Sequence, residues 1–207
     1  MPKKKSHARA KKAAKASAAA KTAKTRSARK ARAAKPAARK AAAVMPSPKQ
    51  QFLDAFGREH STTLKVIRAF PSDQGAFQPH PRSQSAKTLI WTFTVEQGLT
   101  VDALKGTLKM PPTFPPVPET LGEAIAAFER AAAETIATVK RTPDSRFHAS
   151  SPFFTGPGKI ADVPNLDLLW LMLSDQIHHR GQLSVYVRMA GGRVPSIYGP
   201  SADEPWM

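Results

Sequence analysis

The chain has 207 residues, a net charge of +17 and no cysteine. This length accommodates one domain and an extension, and the lack of cysteine excludes disulfides, thiolate metal ligands and cysteine nucleophiles. No stretch reaches the roughly 18 apolar residues of a transmembrane helix, and the Lys-rich start lacks the apolar core of a secretory signal. We therefore expect a cytoplasmic protein with no membrane partner.

The positive charge is concentrated near the N-terminus. Residues 1–50 contain 17 Lys and Arg and no acidic residue, whereas the basic residues of 51–207 are balanced by all 15 acidic ones. Residues 2–43 are almost entirely Lys, Arg, Ala, Ser and Thr, and such a segment buries too little apolar surface to offset its ordering entropy. We predict a disordered basic tail over residues 1–47 and a folded domain over residues 48–207.

A disordered basic arm is typical of proteins that bind nucleic acid. Each neutralised phosphate releases counterions, so binding is sensitive to salt and has no sequence preference. We expect non-specific DNA or RNA binding, and hence a nucleoid-associated location, through Lys3, Lys4, Lys5, Arg9, Lys11, Lys12, Arg29, Lys30 and Arg32. The alternatives are a solubilising tail, attraction to anionic lipid or acidic proteins, and an organellar transit peptide.

Four helical segments separated by proline-rich breaks follow the tail. They are predicted over about 48–70, 85–104, 119–140 and 164–190, and the last stops at Gly191-Gly192. Because no segment alternates strictly between apolar and polar residues, residues 142–163 are predicted to form a long loop. This pattern predicts an all-α four-helix bundle.

Two of these helices each place a carboxylate on an otherwise apolar face. Asp175 and His179 lie one turn apart on the fourth helix, and Thr92 and Glu96 lie one turn apart on the second. Buried carboxylates must be paired, hydrogen-bonded or bound to metal. Glu96, Asp175 and His179 suit a divalent metal such as Zn, Ni, Fe or Mn, with positions left for water or substrate.

Several alternatives remain open around this site. His178 is an alternative ligand, and Arg180 points away toward an ion pair or a subunit contact. The pocket beside the site is predicted to be lined by Thr92, Gln182 and Tyr186. Without metal, the polar side chains would satisfy one another in a hydrogen-bonded cluster of Glu96, Asp175, His179 and Tyr186.

The fourth helix is apolar on its other side as well, through Leu166, Leu169, Trp170, Leu173 and Ile177. A helix that is apolar all round is either buried or shared with a partner. Burial under the aromatic loop 147–154 and a homodimer interface both explain this pattern.

The sequence Asp-Gln-Ile-His-His-Arg-Gly-Gln-Leu at 175–183, followed by Tyr186, Arg188 and Gly191, resembles the last helix of the DinB/YfiT-like proteins. The segments 85–91 and 194–204 are also similar to that family. The resemblance spans about residues 50–207 and implies a four-helix bundle, often dimeric, with a divalent metal held by three histidines. It also implies, for some members, thiol-dependent transferase or isomerase activity. The family name records induction by DNA damage, which indicates a stress response.

This chain departs from the three-histidine pattern of the family at two positions. Thr92 and Asp175 stand where the resemblance implies histidines, His179 remains, and Glu96 is placed to substitute. We predict a stress-type protein with a degenerate or altered metal site between the second and fourth helices. The alternatives are an active metal-dependent thiol S-transferase or hydrolase acting on a small thiol conjugate or electrophile, and a non-catalytic nucleoid-associated binding protein.

Overall fold

Five helices and one β-hairpin make up residues 45–207, the part of the chain that the computed structural model describes. Almost all of the predicted tail lies outside these residues. The elements in chain order are α1 (Pro48–Arg68), α2 (Ala86–Lys105), α3 (Leu121–Arg141), α4 (Asp144–His148), β1 (Ser150–Gly156), β2 (Lys159–Pro164) and α5 (Asn165–Met189). The long helices α1, α2, α3 and α5 confirm the predicted bundle, and α5 is the predicted fourth helix. Every helix in this range is too short or too polar to span a bilayer.

Three of the long helices, α1, α2 and α3, begin at residues whose side chains accept from free backbone N–H groups. Ser47 Oγ accepts from the Gln50 N–H of α1, and Ser85 Oγ accepts from the Thr88 N–H of α2, each at 3.2 Å. Thr120 and Glu123 form a reciprocal capping box at the start of α3. These caps fix where each helix starts and therefore which face it buries.

The order of the helices around the bundle differs from their order in the chain. Both α1 and α2 pack against α3 and α5, so α1 and α2 lie at opposite corners. Residues 69–85, which join α1 to α2, must therefore cross the bundle. This arrangement brings one face of α2 against one face of α5, with Ile90, Phe93 and Leu183 buried in the shared core.

The prediction of a loop over residues 142–163 was wrong. This segment contains the short helix α4 and the antiparallel hairpin of β1 and β2, closed by a turn at Pro157-Gly158. Asn165 at the start of α5 is fully buried and anchors the base of the hairpin: its side chain accepts from Ser151 Oγ and donates to the Arg146 carbonyl oxygen. Only Ser151 and Phe153 of the hairpin are buried, which explains why no apolar alternation marks it.

The second apolar side of α5 is covered within the chain. Leu169 and Leu173 are buried in a cluster that includes Phe52 of α1 and Phe147 of α4. The Trp170 ring packs edge-on against Phe52, with centroids 5.5 Å apart. Packing inside the domain therefore accounts for Leu169 and Leu173, while Leu166, Trp170 and Ile177 are partly buried.

Candidate metal centre

Three side chains from α2 and α5 meet where these helices face each other. His179 Nδ1 lies 2.9 Å from Glu96 Oε1 and 4.0 Å from Asp175 Oδ1. Each residue offers a potential ligand atom, and these atoms all lie within 4.8 Å of one another. The one-turn spacing on α5 and the packing of α2 against it thus bring together the three predicted residues Glu96, Asp175 and His179.

Glu96 is the buried member of this group, since only 4 % of its surface is exposed. Its Oε1 atom is bonded to His179, but its Oε2 atom has no hydrogen-bond partner among residues 45–207. Asp175 lies at the surface end of the group, with 44 % of its side chain exposed. The His179 ring is half-buried against the edge of Phe93. The group therefore runs from a buried, incompletely satisfied carboxylate to one that reaches solvent.

Burial raises the pKa of Glu96 to about 7, because desolvation of the carboxylate outweighs the stabilising hydrogen bond and charge of His179. The pKa of His179 is also raised, chiefly by its hydrogen bond to Glu96. Both shifts favour the protonated forms, so the pair holds its protons to a higher pH than the free side chains would.

An open cavity of about 260 Å³ lies beside His179. Two of the predicted pocket residues, Gln182 and Tyr186, line it together with Ser83, Gln84 and Leu89. The Tyr186 hydroxyl donates to the Gln84 carbonyl oxygen at 3.3 Å, which links α5 to the segment before α2. The contributions of Ser83, Gln84 and Leu89 were not predicted.

Two other predicted residues lie apart from this group. The Thr92 hydroxyl donates to the Thr88 carbonyl oxygen of its own helix at 3.1 Å, and Thr92 does not line the cavity. His178 is exposed, and its Nε2 lies 2.9 Å from Gln182 Nε2. His178, the alternative ligand, is therefore not part of the three-residue group.

Arg180 points away from the centre, as predicted, and forms an ion pair. Its Nη1 atom lies 2.7 Å from Glu59 Oε2 on α1, and its Nη2 atom donates to the Tyr198 hydroxyl. Because only 1 % of Arg180 is exposed, this contact between α1, α5 and the C-terminal segment is structural.

The family model for the DinB family matches residues 45–206. The chain belongs to the DinB family. A relative by sequence, the uncharacterized protein YrdA of Bacillus subtilis (strain 168), is 24 % identical over 153 residues, which cover 74 % of this chain and 89 % of YrdA.

Two solved structures of DinB-like proteins share the fold. The Bacillus subtilis protein YjoA matches with a TM-score of 0.56 and 20 % identity, over 68 % of this chain and 92 % of YjoA. A protein from Bacillus cereus ATCC 10987 matches with a TM-score of 0.60 and 19 % identity, over 72 % of this chain and 97 % of that protein. At this level of identity the likeness concerns the fold.

The residues of this DinB centre suit a divalent ion. Around an ion with bond lengths of about 2.1 Å, ligand atoms lie at most about 4.2 Å apart, and both distances from His179 Nδ1 satisfy this limit. Two carboxylates and one imidazole form a donor set typical of Zn, Mn, Fe and Ni sites. A buried Glu96 oxygen without a partner is the type of atom that an ion would satisfy.

Proposed function

We propose that this DinB protein binds one divalent metal ion, of the Zn, Ni, Fe or Mn type, through Glu96, Asp175 and His179. The observation that carries the proposal is the unpartnered, buried Oε2 of Glu96 beside an imidazole and a second carboxylate. An unpaired polar atom in this position costs about 1 to 3 kcal/mol, and an ion would remove that cost. The site is altered from the three-histidine set that the family resemblance implies.

The proposed reaction class is a metal-dependent transfer or hydrolysis on a small thiol conjugate or electrophile. A bound ion would supply Lewis acidity, which polarises a substrate or activates a thiol or water. The open cavity of about 260 Å³ has room for a small molecule. Gln182 and Ser83 offer hydrogen-bonding groups at its wall, while Leu89 contributes apolar surface.

Metal analysis of the purified chain, after growth with Zn, Ni, Fe and Mn supplied, tests the proposed site. We expect near-stoichiometric metal in the wild type and loss of the metal in His179→Ala. The matched control is His178→Ala, which removes the neighbouring exposed histidine and should retain the metal. Trace metal in the wild type, or equal occupancy in both variants, would contradict the proposal.

The contrasting proposal is a non-catalytic DinB domain whose polar cluster is only structural. The direct hydrogen bond between Glu96 and His179 supports it, because through this bond the two groups partly satisfy each other. In that case Asp175→Asn would change the free energy of unfolding and leave any measurable turnover intact. Metal-dependent turnover that Asp175→Asn abolishes would rule this alternative out.

The proposed role of the tail is non-specific association with DNA or RNA, which would hold the domain at the nucleoid. The charge distribution supports it, because residues 1–50 carry 17 basic residues and no acidic one.

A homodimer and a role in the stress response likewise stay predictions. For the homodimer, the exposed apolar side chains of α5, namely Leu171, Val185 and Met189, offer a surface.

A further inference from the structure

Two hydrogen bonds between side chains join α2 to α5, and these helices, which the structure describes in full, share no others. One is the bond between Glu96 and His179 at 2.9 Å. In the other, Gln97 Nε2 donates to Gln176 Oε1 at 3.4 Å. Glu96 and Gln97 are adjacent on α2, and Gln176 and His179 lie within one turn of each other on α5. The amide pair Gln97–Gln176 is therefore a neighbour of the proposed metal centre.

Apolar contacts flank the two bonds along the helices. Toward the start of α2, Phe93 shares a buried cluster with Leu183 of α5. Toward the end of α2, Ala103 shares another buried cluster with Leu168 and Met172. Because apolar burial has no preferred direction, these contacts hold the helices together but specify only loosely how far one lies along the other. The two hydrogen bonds between the clusters are the directional contacts that can specify this register.

The amide pair is buried from solvent. Gln97 has no exposed surface, and only 3 % of Gln176 is exposed. An open cavity of about 280 Å³ beside Phe114, in the segment between α2 and α3, borders α2 at Gln97. Because Gln97 itself has no exposed surface, solvent in that cavity does not compete for the bond. A slide of α2 that breaks this bond would leave the Gln97 amide group buried and unpaired, which is costly.

The same pair is a poor source of stability. The Gln97 Oε1 atom is buried and has no hydrogen-bond partner among residues 45–207. Replacing both partners of a buried hydrogen bond by apolar groups of the same shape is often neutral or stabilising. A single buried polar contact is better suited to fixing register, as a buried Asn does in coiled coils. The position of Gln97 and Gln176 between two apolar clusters fits this second role.

We propose that the Gln97–Gln176 pair fixes the register of α2 against α5 and thereby positions Glu96 for its bond to His179. The tolerance is small, because a shift of about 0.6 Å takes the 2.9 Å distance between Glu96 Oε1 and His179 Nδ1 to the outer limit of a hydrogen bond. Gln97 and Gln176 are positioning residues, since the potential metal ligands are Glu96, Asp175 and His179. Their importance for metal binding rests on the proposed function, whereas their effect on the Glu96–His179 bond does not.

The test variant is Gln97→Met combined with Gln176→Met, because methionine is unbranched and similar in length to glutamine. In the full, metal-free chain, the ¹⁵N NMR shifts of the His179 ring report its hydrogen bond to Glu96. We expect these shifts to move toward the values of a solvent-exposed histidine, while those of the exposed His178 change little. The midpoint of urea denaturation should equal that of the wild type or exceed it. A merely structural role predicts the reverse, a lower midpoint and unchanged His179 shifts.

Titrations of the same proteins with Zn²⁺ measure the consequence for the proposed metal site. Changing the residues that orient metal ligands typically lowers metal affinity about 10- to 100-fold, and we expect at least about a tenfold loss in the double variant. The matched control is Thr100→Val. Thr100 is buried on α2, but its hydroxyl donates to the Glu96 carbonyl oxygen of its own helix at 3.0 Å. This control should change neither the His179 shifts nor the affinity for Zn²⁺.

Unchanged His179 shifts in the folded double variant would overturn the inference, and so would an unchanged affinity for Zn²⁺ where the wild type binds it. A wild type that binds no Zn²⁺ would instead contradict the proposed metal site, and the His179 shifts of the metal-free chain would still decide the role of the amide pair. If the double variant does not fold, Gln176→Asn takes its place. Its amide is one methylene shorter and cannot keep the 3.4 Å contact with Gln97 unless the helices move, so unchanged His179 shifts in this variant would overturn the inference equally.

Discussion

Glu96 is an acid whose ionised form is disfavoured in the folded, metal-free protein. Its pKa is about 7 in the fold and 4.5 ordinarily, so the folded state retains a proton that the unfolded chain loses. The free energy of unfolding must therefore fall as the pH rises from about 4.5 to 7. One pKa unit is worth about 1.4 kcal/mol, so the loss is on the order of 3 kcal/mol. The raised pKa of His179 acts in the same direction. Protonated His179 stabilises the folded state, and this contribution is lost as the pH rises through the pKa of His179 in the folded protein.

Glu96→Gln should largely remove this dependence and abolish metal binding. We expect the metal-free variant to be more stable than the wild type at pH 8 and similar to it at pH 5, in urea denaturation with a chelator present. Glu119→Gln, at an exposed position, is the control and should follow the wild type. If the free energies of unfolding of the wild type and Glu96→Gln change with pH in parallel, folding does not disfavour the ionised form of Glu96, and the prediction is wrong.

The Arg180 ion pair illustrates how burial determines the contribution of an ion pair to the stability of the fold. Arg180→Met leaves Glu59, whose side chain is only 17 % exposed, without its cation, and breaking a buried pair in this way costs about 3 to 5 kcal/mol. Arg188 pairs with Asp203, but half of the Arg188 side chain is exposed, against 1 % of Arg180, so Arg188→Met should cost at most about 1 kcal/mol. Thermal denaturation of both variants measures the contrast. Equal losses of stability in the two variants would contradict a larger contribution from the buried pair.

At the scale of elements, the C-terminus of α2 depends on one glycine. Gly106 adopts φ +75°, a left-handed conformation that glycine tolerates best. A Cβ there would also collide with the Arg146 guanidinium, which donates to the Ala103 and Leu104 carbonyl oxygens at the end of the helix. Gly106→Ala is therefore expected to destabilise the domain by about 1 kcal/mol or more.

Gly57 provides the matched control for this substitution. It lies inside α1, and a Cβ added there meets no described atom within 4 Å. Gly57→Ala should stabilise the domain by about 0.5 to 1 kcal/mol, because alanine loses less backbone entropy in a helix. Urea midpoints that shift in the same direction for both variants would refute the assigned role of Gly106.

The elements differ in how far their sequences determine them. The long helices could be predicted, because each shows apolar residues at helical spacing between proline-rich breaks. The hairpin could not, because β2 is almost entirely exposed and so carries no alternation. Its turn signal, Gly-Pro-Gly at 156–158, is present but short.

The same reasoning applies to the candidate site. Asp175 and His179 could be paired by their one-turn spacing, since that spacing is local. The bond between Glu96 and His179 joins residues 83 positions apart, and periodicity predicts only that both face the core. The Gln97–Gln176 contact and the cavity beside Phe114 were not predicted, because they depend on the relative placement of helices and of the segment that covers them.

At the scale of the whole molecule, the charge separates into two parts. The basic residues of 51–207 are balanced by acidic ones, so the net charge of +17 arises from the N-terminal segment. If DNA binding depends on this segment, a chain of residues 45–207 should lose it. The free energy of unfolding of that shortened chain, compared with the full chain, controls for loss of folding.

The salt dependence of binding distinguishes a phosphate-binding tail from specific recognition. If about six to ten tail residues contact phosphate, the affinity should fall by roughly 10³-fold or more between about 50 and 200 mM salt. Fluorescence anisotropy with two unrelated duplexes of equal length measures both the slope and the sequence preference. We expect steep slopes and equal affinities, because counterion release depends on the number of phosphates rather than on the bases. An affinity that does not change with salt would contradict phosphate binding by the tail. Binding retained by residues 45–207 would place nucleic-acid recognition in the DinB domain instead.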